Sequence, residues 1–234
     1  MPREALEDFP TTHATFLTVC LDTATAQSLS HARNHLMVRY RAPLVVYAAQ
    51  SRFATFDEPD ELIHGFFAAK VADARFLADW RASGLPLRRW MLNGLVFHAR
   101  GVLRDRAREN ARTDGAPPEA LLSNTPDAER AFERAWALAL VEAACRTAHT
   151  ALAADGRARA YDCFHRHFFD AVGYAQLAAE LGVGETTVAS EIRLATRRVR
   201  AEAKSMLRDE IGTADQYAIV AELARVRELT GWSV

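Results

Sequence analysis

Cysteine, strand-like alternation, long apolar runs and an excess of either charge are what this sequence has least of. The three cysteines, Cys20, Cys145 and Cys163, are odd in number, far apart and form no CxxC pair. That argues against a disulfide framework and for a reducing compartment, the cytosol in the simplest reading. No stretch approaches the roughly 18 apolar residues that a membrane span needs. The first ten residues carry Glu4, Glu7 and Asp8 instead of a basic segment followed by an apolar core, so neither export nor a membrane partner is expected. Lysine and arginine number 29 against 30 for aspartate and glutamate, a net charge of -1. A nucleic-acid-binding signal, if there is one, must therefore be local. There is no Gly-rich phosphate loop, no Ser/His/Asp ordering and no HExxH, so no catalytic residue, cofactor or metal is expected.

What is present is helical periodicity. Apolar residues recur at three and four spacing through most of the 234 residues, which predicts an all-α protein. A first helix is expected over Ser28 to Ser51, with Leu36, Tyr40, Leu44 and Tyr47 on one stripe and Pro43 as a local bend. A second is expected over Pro59 to Lys70, burying Leu62, Ile63, Phe66 and Phe67, with acids crowding its first turn where the helix dipole favours them. A loop with Ser83, Gly84 and Pro86 leads to a long helix over Leu87 to Asn110. From Arg112 to Pro126 the composition turns to Gly, Pro, Ser, Asn and Asp, the best linker in the chain. Helices resume over Asp127 to Ala154, Gly156 to Phe169, Tyr174 to Leu181, Glu185 to Arg208 and Asp215 to Thr230.

The segment Tyr174 to Ile192 has the spacing of a helix-turn-helix. Leu177 and Leu181 supply the inner face of its first helix, Ala178 is small enough to let the second approach, and Gly182 can take the left-handed conformation that ends a helix. Val188 and Ile192 pack back at i and i+4. This leaves Thr186, Thr187, Ser190, Arg193 and Arg197 on or near the outer face, where a major groove would meet them. Residues 186–208 hold six basic groups against Glu191 and Glu202, a strong local excess on a neutral chain. An Arg-rich, solvated helical hairpin is the bland alternative.

Residues 81–112 form a second basic region, with eight arginines against Asp105 and Glu109. Trp90, Met91 and Phe97 lie in the same helix, and cations beside stacking-capable rings are what melted DNA requires. Residues 57–79 are acidic instead, with six acids against Lys70 and Arg75. An acidic helix repels DNA, so it implies a basic protein partner or plain solvation.

Taken in order, Phe9-Pro-Thr-Thr12, Tyr40-Arg-Ala-Pro43, Asp60-Glu61-Leu62 with Phe66-Phe67, Arg88-Arg-Trp90-Met-Leu92, Glu133-Arg-Ala-Trp136 and the helix-turn-helix resemble sigma-70 type factors of RNA polymerase. The likeness is to the extracytoplasmic-function group, especially its divergent planctomycete-like sets, and it covers nearly the whole chain. It implies a bacterial, cytoplasmic sigma factor with two helical domains. A sigma region 2-like bundle would occupy residues 9–112 and a sigma region 4-like helix-turn-helix domain 127–212. The linker 113–126 would join them and a helical extension 213–234 would follow. Core RNA polymerase and promoter DNA are the implied partners, with an anti-sigma factor or other regulator as a further one. Asp57, Asp60, Glu61, Ile63 and His64 would dock on the basic coiled coil of the polymerase's largest subunit. Arg88, Arg89, Trp90, Arg100, Arg104 and Arg108 would hold the melted promoter element, Trp90 by packing or stacking. The helix-turn-helix would read the upstream element.

The family pattern has Gln-Glu where this chain has His64-Gly65, and glycine inside a helix costs about 1 kcal/mol relative to alanine. That departure favours a rival reading, a stand-alone helix-turn-helix regulator or sigma-like scaffold without polymerase binding. Cys163, His165 and His167 have the chemistry of zinc ligands, but helical residues two apart point about 200° apart, so their spacing does not build a site.

Overall fold

The structure is a computed structural model that describes residues 13–23, 25–110, 126–211 and 215–232. Among these the chain is helical, without a strand, as the periodicity predicts. No helix among them is long and apolar enough to cross a membrane. The chain divides into two compact units, Met1–Ala139 with Arg208–Asp215, and Leu140–Leu207 with Gln216–Val234. The expected linker lies outside the described residues except for Pro126, as do Phe9 to Thr12 and Arg112.

The first unit opens with α1 (His13–Thr23) and α2 (Ala26–Gln50). Thr25 caps α2 by accepting from the Ser28 backbone N–H at 3.1 Å. Leu36, Tyr40, Leu44 and Tyr47 are fully buried along it, at the i, i+4, i+8 and i+11 positions of one face. Pro43 sits inside α2 without ending it. Ser51 closes the helix and its hydroxyl starts the next turn, accepting from the Phe53 N–H at 3.2 Å.

Helix α3 (Pro59–Phe66) has Pro59 at its start and Asp60 and Glu61 in its first turn. It passes into a π turn, Phe67–Val71, in which the Ala72 N–H bonds the Phe67 carbonyl at 3.0 Å. The wider turn keeps Phe67 and Val71 buried together with Leu62, Ile63 and Phe66. Two helices fall where the sequence reading left none, α1 and α4 (Ala74–Ser83). The signals for α4 are local: Asp73 accepts from the Arg75 N–H, and Gly84 follows at φ 67°, the left-handed conformation of a helix stop.

Helix α5 (Leu87–Asn110) runs the length predicted. Its core face is Leu87, Met91, Leu92, Leu95 and Ala99. Gly94 is a close-approach point, since a β-carbon there would lie 2.8 Å from the Phe76 ring and 3.1 Å from Phe66. Gly65 of α3 is a second, with His98 of α5 3.2 Å from where its β-carbon would be. Gly65 thus leaves room for an imidazole from α5 packed against the helix backbone.

The first unit also takes in the start of α6 (Pro126–Ala154) and the end of α9 (Glu185–Ile211), segments that the sequence reading assigned to the second domain. The reason is a buried polar network. Glu210 is 2% exposed, and its carboxylate lies 2.7 and 2.6 Å from the Tyr40 hydroxyl. It also accepts from the Arg88 backbone N–H at 2.7 Å and faces Arg39 at 3.3 Å. Burial first, and then the Glu210 charge, push the Tyr40 phenol well above its usual range.

The second unit holds the rest of α6, α7 (Ala158–Phe168), α8 (Tyr174–Leu181), most of α9, and α10 (Gln216–Thr230). Cys163, Leu177, Ala178, Val188 and Ile192 form one core, with Val172, Tyr174, Leu181 and Val183 packed against it. Cys163 is therefore a core side chain where α7, α8 and α9 meet, and burial raises its thiol pKa.

Candidate nucleic-acid interface

The turn between α8 and α9 is built as the sequence predicts. Gly182 takes φ 65° and ψ 32°, and the Val183 N–H returns to the Ala178 carbonyl at 3.0 Å, satisfying the end of α8. With Val188 and Ile192 fixed in the core, the opposite side of α9 is set. At about 100° per residue, Thr186, Ser190, Arg193 and Arg197 fall on one outward stripe, and all four are exposed. Thr187 is half-buried beside them. Ser190 donates its hydroxyl to the Thr186 carbonyl at 2.9 Å and the Arg193 Nε donates to the Ala189 carbonyl at 3.2 Å. Both side chains are thus held close to their own helix.

Two acids of this helix, Glu191 and Glu202, are turned aside. Glu191 accepts from Arg159 of α7 at 2.6 Å, and Glu202 accepts from Arg198 at 2.8 Å. The carboxylates are the covered partners in both pairs, with side chains 18% and 15% exposed. What the outer stripe presents is therefore hydroxyl and guanidinium, the donor set that meets base edges and phosphates in a major groove.

Helix α5 carries the second basic surface, and here two expected residues change roles. Arg88 is 6% exposed. Its guanidinium lies over the Trp136 ring, 4.4 Å from the centroid, and its Nε is 3.4 Å from Glu133. A cation enclosed in this way cannot follow a DNA backbone, so Arg88 leaves the DNA-binding set for a structural one. Trp90 donates its indole N–H to the Phe76 carbonyl at 3.1 Å, with its ring against Phe76, and is likewise a packing residue. Ile63, expected at the docking face, is 1% exposed and belongs to the core, because it shares the inward phase of Leu62 and Phe66.

The ring that does face outward is Phe97, 65% exposed. It lies on a stripe with Arg89, Asn93, Arg100, Arg104 and Arg108 at i, i+3 and i+4 steps. Helical phase alone does not separate Phe97 from Trp90, which lies on the same side of α5. Within the stripe, Arg89 pairs with Glu129 at 3.3 Å, Arg104 donates to the Arg100 carbonyl at 3.2 Å, Arg108 is 3.5 Å from Asp105, and Arg100 is half-buried. An exposed aromatic ring among guanidinium groups has the chemistry on which an unpaired base can stack.

The acidic region is partly engaged within its own unit. Asp57 pairs with Arg106 at 2.9 Å and Asp60 with Arg41 at 2.5 Å. Glu61 and His64 are exposed on the outer side of α3. Among the described residues no group of three or more His, Cys, Asp or Glu is arranged to hold a metal.

No family model, no curated protein and no solved structure matches this chain.

Proposed function

We propose that this chain is a DNA-binding transcription initiation factor of the sigma type, which joins core RNA polymerase and directs it to promoters. The observation that carries the reading is the helix-turn-helix of the second unit. Its recognition helix keeps Thr186, Ser190, Arg193 and Arg197 outward and holds Glu191 and Glu202, the acids that flank this stripe, in ion pairs. The basic stripe of α5 supports the second half of the reading. Phe97 would stack on a base of the melted element while Arg100, Arg104 and Arg108 follow the backbone. Arg89 would join them once released from Glu129. Glu61 and His64, with Asp60 exposed at the same helix start, would meet the basic surface of the polymerase.

A stand-alone helix-turn-helix regulator is the second reading. It is favoured by Asp57 and Asp60 already having basic partners in their own unit. Binding to purified core RNA polymerase separates the two. The sigma reading expects a stoichiometric complex that Asp60→Lys with Glu61→Lys abolishes while the circular dichroism spectrum is unchanged. A chain that binds duplex DNA but never core enzyme would establish the regulator.

A further inference from the structure

Arg159 stands outside the recognition helix, near the start of α7, yet it is bonded to that helix. Its Nε and Nη2 donate to the same Glu191 oxygen at 3.2 and 2.6 Å. The guanidinium side chain is 52% exposed and the carboxylate 18%. Two of the five donors of the fork are thereby used, and the remaining three project from a fixed plane. Ala160, Cys163 and Phe164 are the buried residues of α7, and Arg159 is exposed on the flank of that face.

The position of the pair matters. Glu191 follows Ser190, about 100° further round the helix, which sets it on the flank of the outward stripe. On the same flank, two turns later, Arg198 and Glu202 repeat the arrangement, with side-chain exposures of 41% and 15%. In both pairs the acid lies beneath and the cation on top. An ordinary surface ion pair leaves both side chains free to the solvent and adds little. Here a covered carboxylate fixes where the guanidinium stands beside the reading stripe.

We infer that Arg159 is a DNA-phosphate contact of the helix-turn-helix, and that Glu191 is its positioning residue. The inference rests on the DNA-binding reading of the second unit and names which backbone contact flanks it. It also assigns Glu191 a role other than reading a base. A glutamate in a major groove can accept from a cytosine amino group, but the Glu191 oxygen that meets Arg159 already accepts two bonds and the side chain is largely covered.

The test uses the full chain and duplex DNA. A duplex is selected from a random library by the wild-type protein, and binding of Arg159→Ala, Arg159→Lys, Glu191→Gln and Arg146→Ala is followed by fluorescence anisotropy over a salt series. Arg146 is an exposed control arginine of α6, paired with Glu142. The expected result for Arg159→Ala is a loss of several-fold in affinity that is equal for all bound sequences. Its slope of log affinity against log salt should be shallower by about 1. Arg159→Lys keeps the slope, Glu191→Gln gives a smaller uniform loss with the same preferred sequence, and Arg146→Ala matches the wild type. Thermal unfolding of each variant confirms that the fold is retained.

An Arg159→Ala protein with wild-type affinity and slope would overturn the inference while leaving the DNA-binding reading in place. A Glu191→Gln protein with altered preference at one base pair would overturn the positioning role. If the wild-type chain enriches no duplex at all, the DNA-binding reading fails and the inference with it.

Discussion

Helices α5 and α9 are both long and arginine-rich, and they treat their arginines differently. In α5 the first cation, Arg88, is drawn into the core, where Trp136, Glu133 and the Glu210 carboxylate meet its side chain and backbone. In α9, Arg193 and Arg197 stay outside, and it is Glu191 and Glu202 that are covered. The difference lies in phase. Arg88 shares the inward phase of Leu92, Leu95 and Ala99, whereas Arg193 and Arg197 lie opposite Val188 and Ile192. Counting cations in a segment therefore overstates the exposed positive charge of α5, because Arg88 is counted though buried.

That contrast can be broken most sharply at Arg88. Replacing it with alanine leaves Glu133 and the Trp136 face without their cation, with an expected loss of about 3 to 5 kcal/mol in denaturant unfolding. Arg88→Met, apolar and of similar length, should recover part of the loss. Arg193→Ala should change stability by no more than about 0.5 kcal/mol. If Arg88→Ala unfolds at the wild-type midpoint, the buried network does not hold the first unit together.

The same unit should be sensitive to acid. Burial, and then the charge of Arg39, lower the His35 pKa from 6.5 to about 4, and burial followed by Lys70 lowers that of His98. A histidine held neutral in the fold contributes stability that is complete above the ordinary imidazole value. That stability is lost as pH falls from about 6.5 towards 4, because the unfolded chain takes up the proton first. His35 alone accounts for about 3 kcal/mol over that interval. Urea unfolding at pH 7 and pH 4 should show the loss, and His35→Gln should reduce it; an unchanged pH dependence would contradict the assignment.

The two basic surfaces should also part in the DNA they bind. Arg193→Ala is expected to weaken binding of the selected duplex by about 1 to 3 kcal/mol and leave single-strand binding intact. Phe97→Ala should do the reverse, costing about 1 to 3 kcal/mol on a single-stranded oligonucleotide. Equal effects of both changes on both ligands would merge the surfaces into one non-specific patch.

Two glycines of α5 test its packed and its open side. Gly94→Ala would drive its methyl group into Phe76 and should cost about 1 to 3 kcal/mol. A β-carbon at Gly101 meets nothing within 4 Å, so Gly101→Ala should stabilise by up to about 1 kcal/mol. Thermal unfolding reads both, and a destabilised Gly101→Ala protein would mean that the outer side of α5 is not open.

Much of the helical order was legible because periodicity reports burial directly. The helix-turn-helix was legible in detail, since Leu177, Ala178, Gly182, Val188 and Ile192 lie within 16 residues of one another and act through local geometry. Residues whose environment comes from distant parts of the chain were not. Trp90 and Phe97 lie on the same side of α5, two turns apart, but Phe76 of α4 covers only the first. Helix α4 itself was missed, so the choice between the two rings could not be made. Arg88 was a readable case, because its phase with Leu92 and Leu95 argued for burial before its charge argued for DNA. Glu210 had no signal in its own segment, since its partners Arg39, Tyr40 and Arg88 stand more than a hundred residues away.

The central claim is tested most directly by transcription from a promoter library with purified core RNA polymerase, with and without this chain, followed by sequencing of transcript starts. The account predicts new start sites that share two upstream elements, lost with Arg193→Ala at the upstream element and with Phe97→Ala at the nearer one. Transcript starts that are identical with and without the chain, together with no complex between the chain and core enzyme, would contradict it.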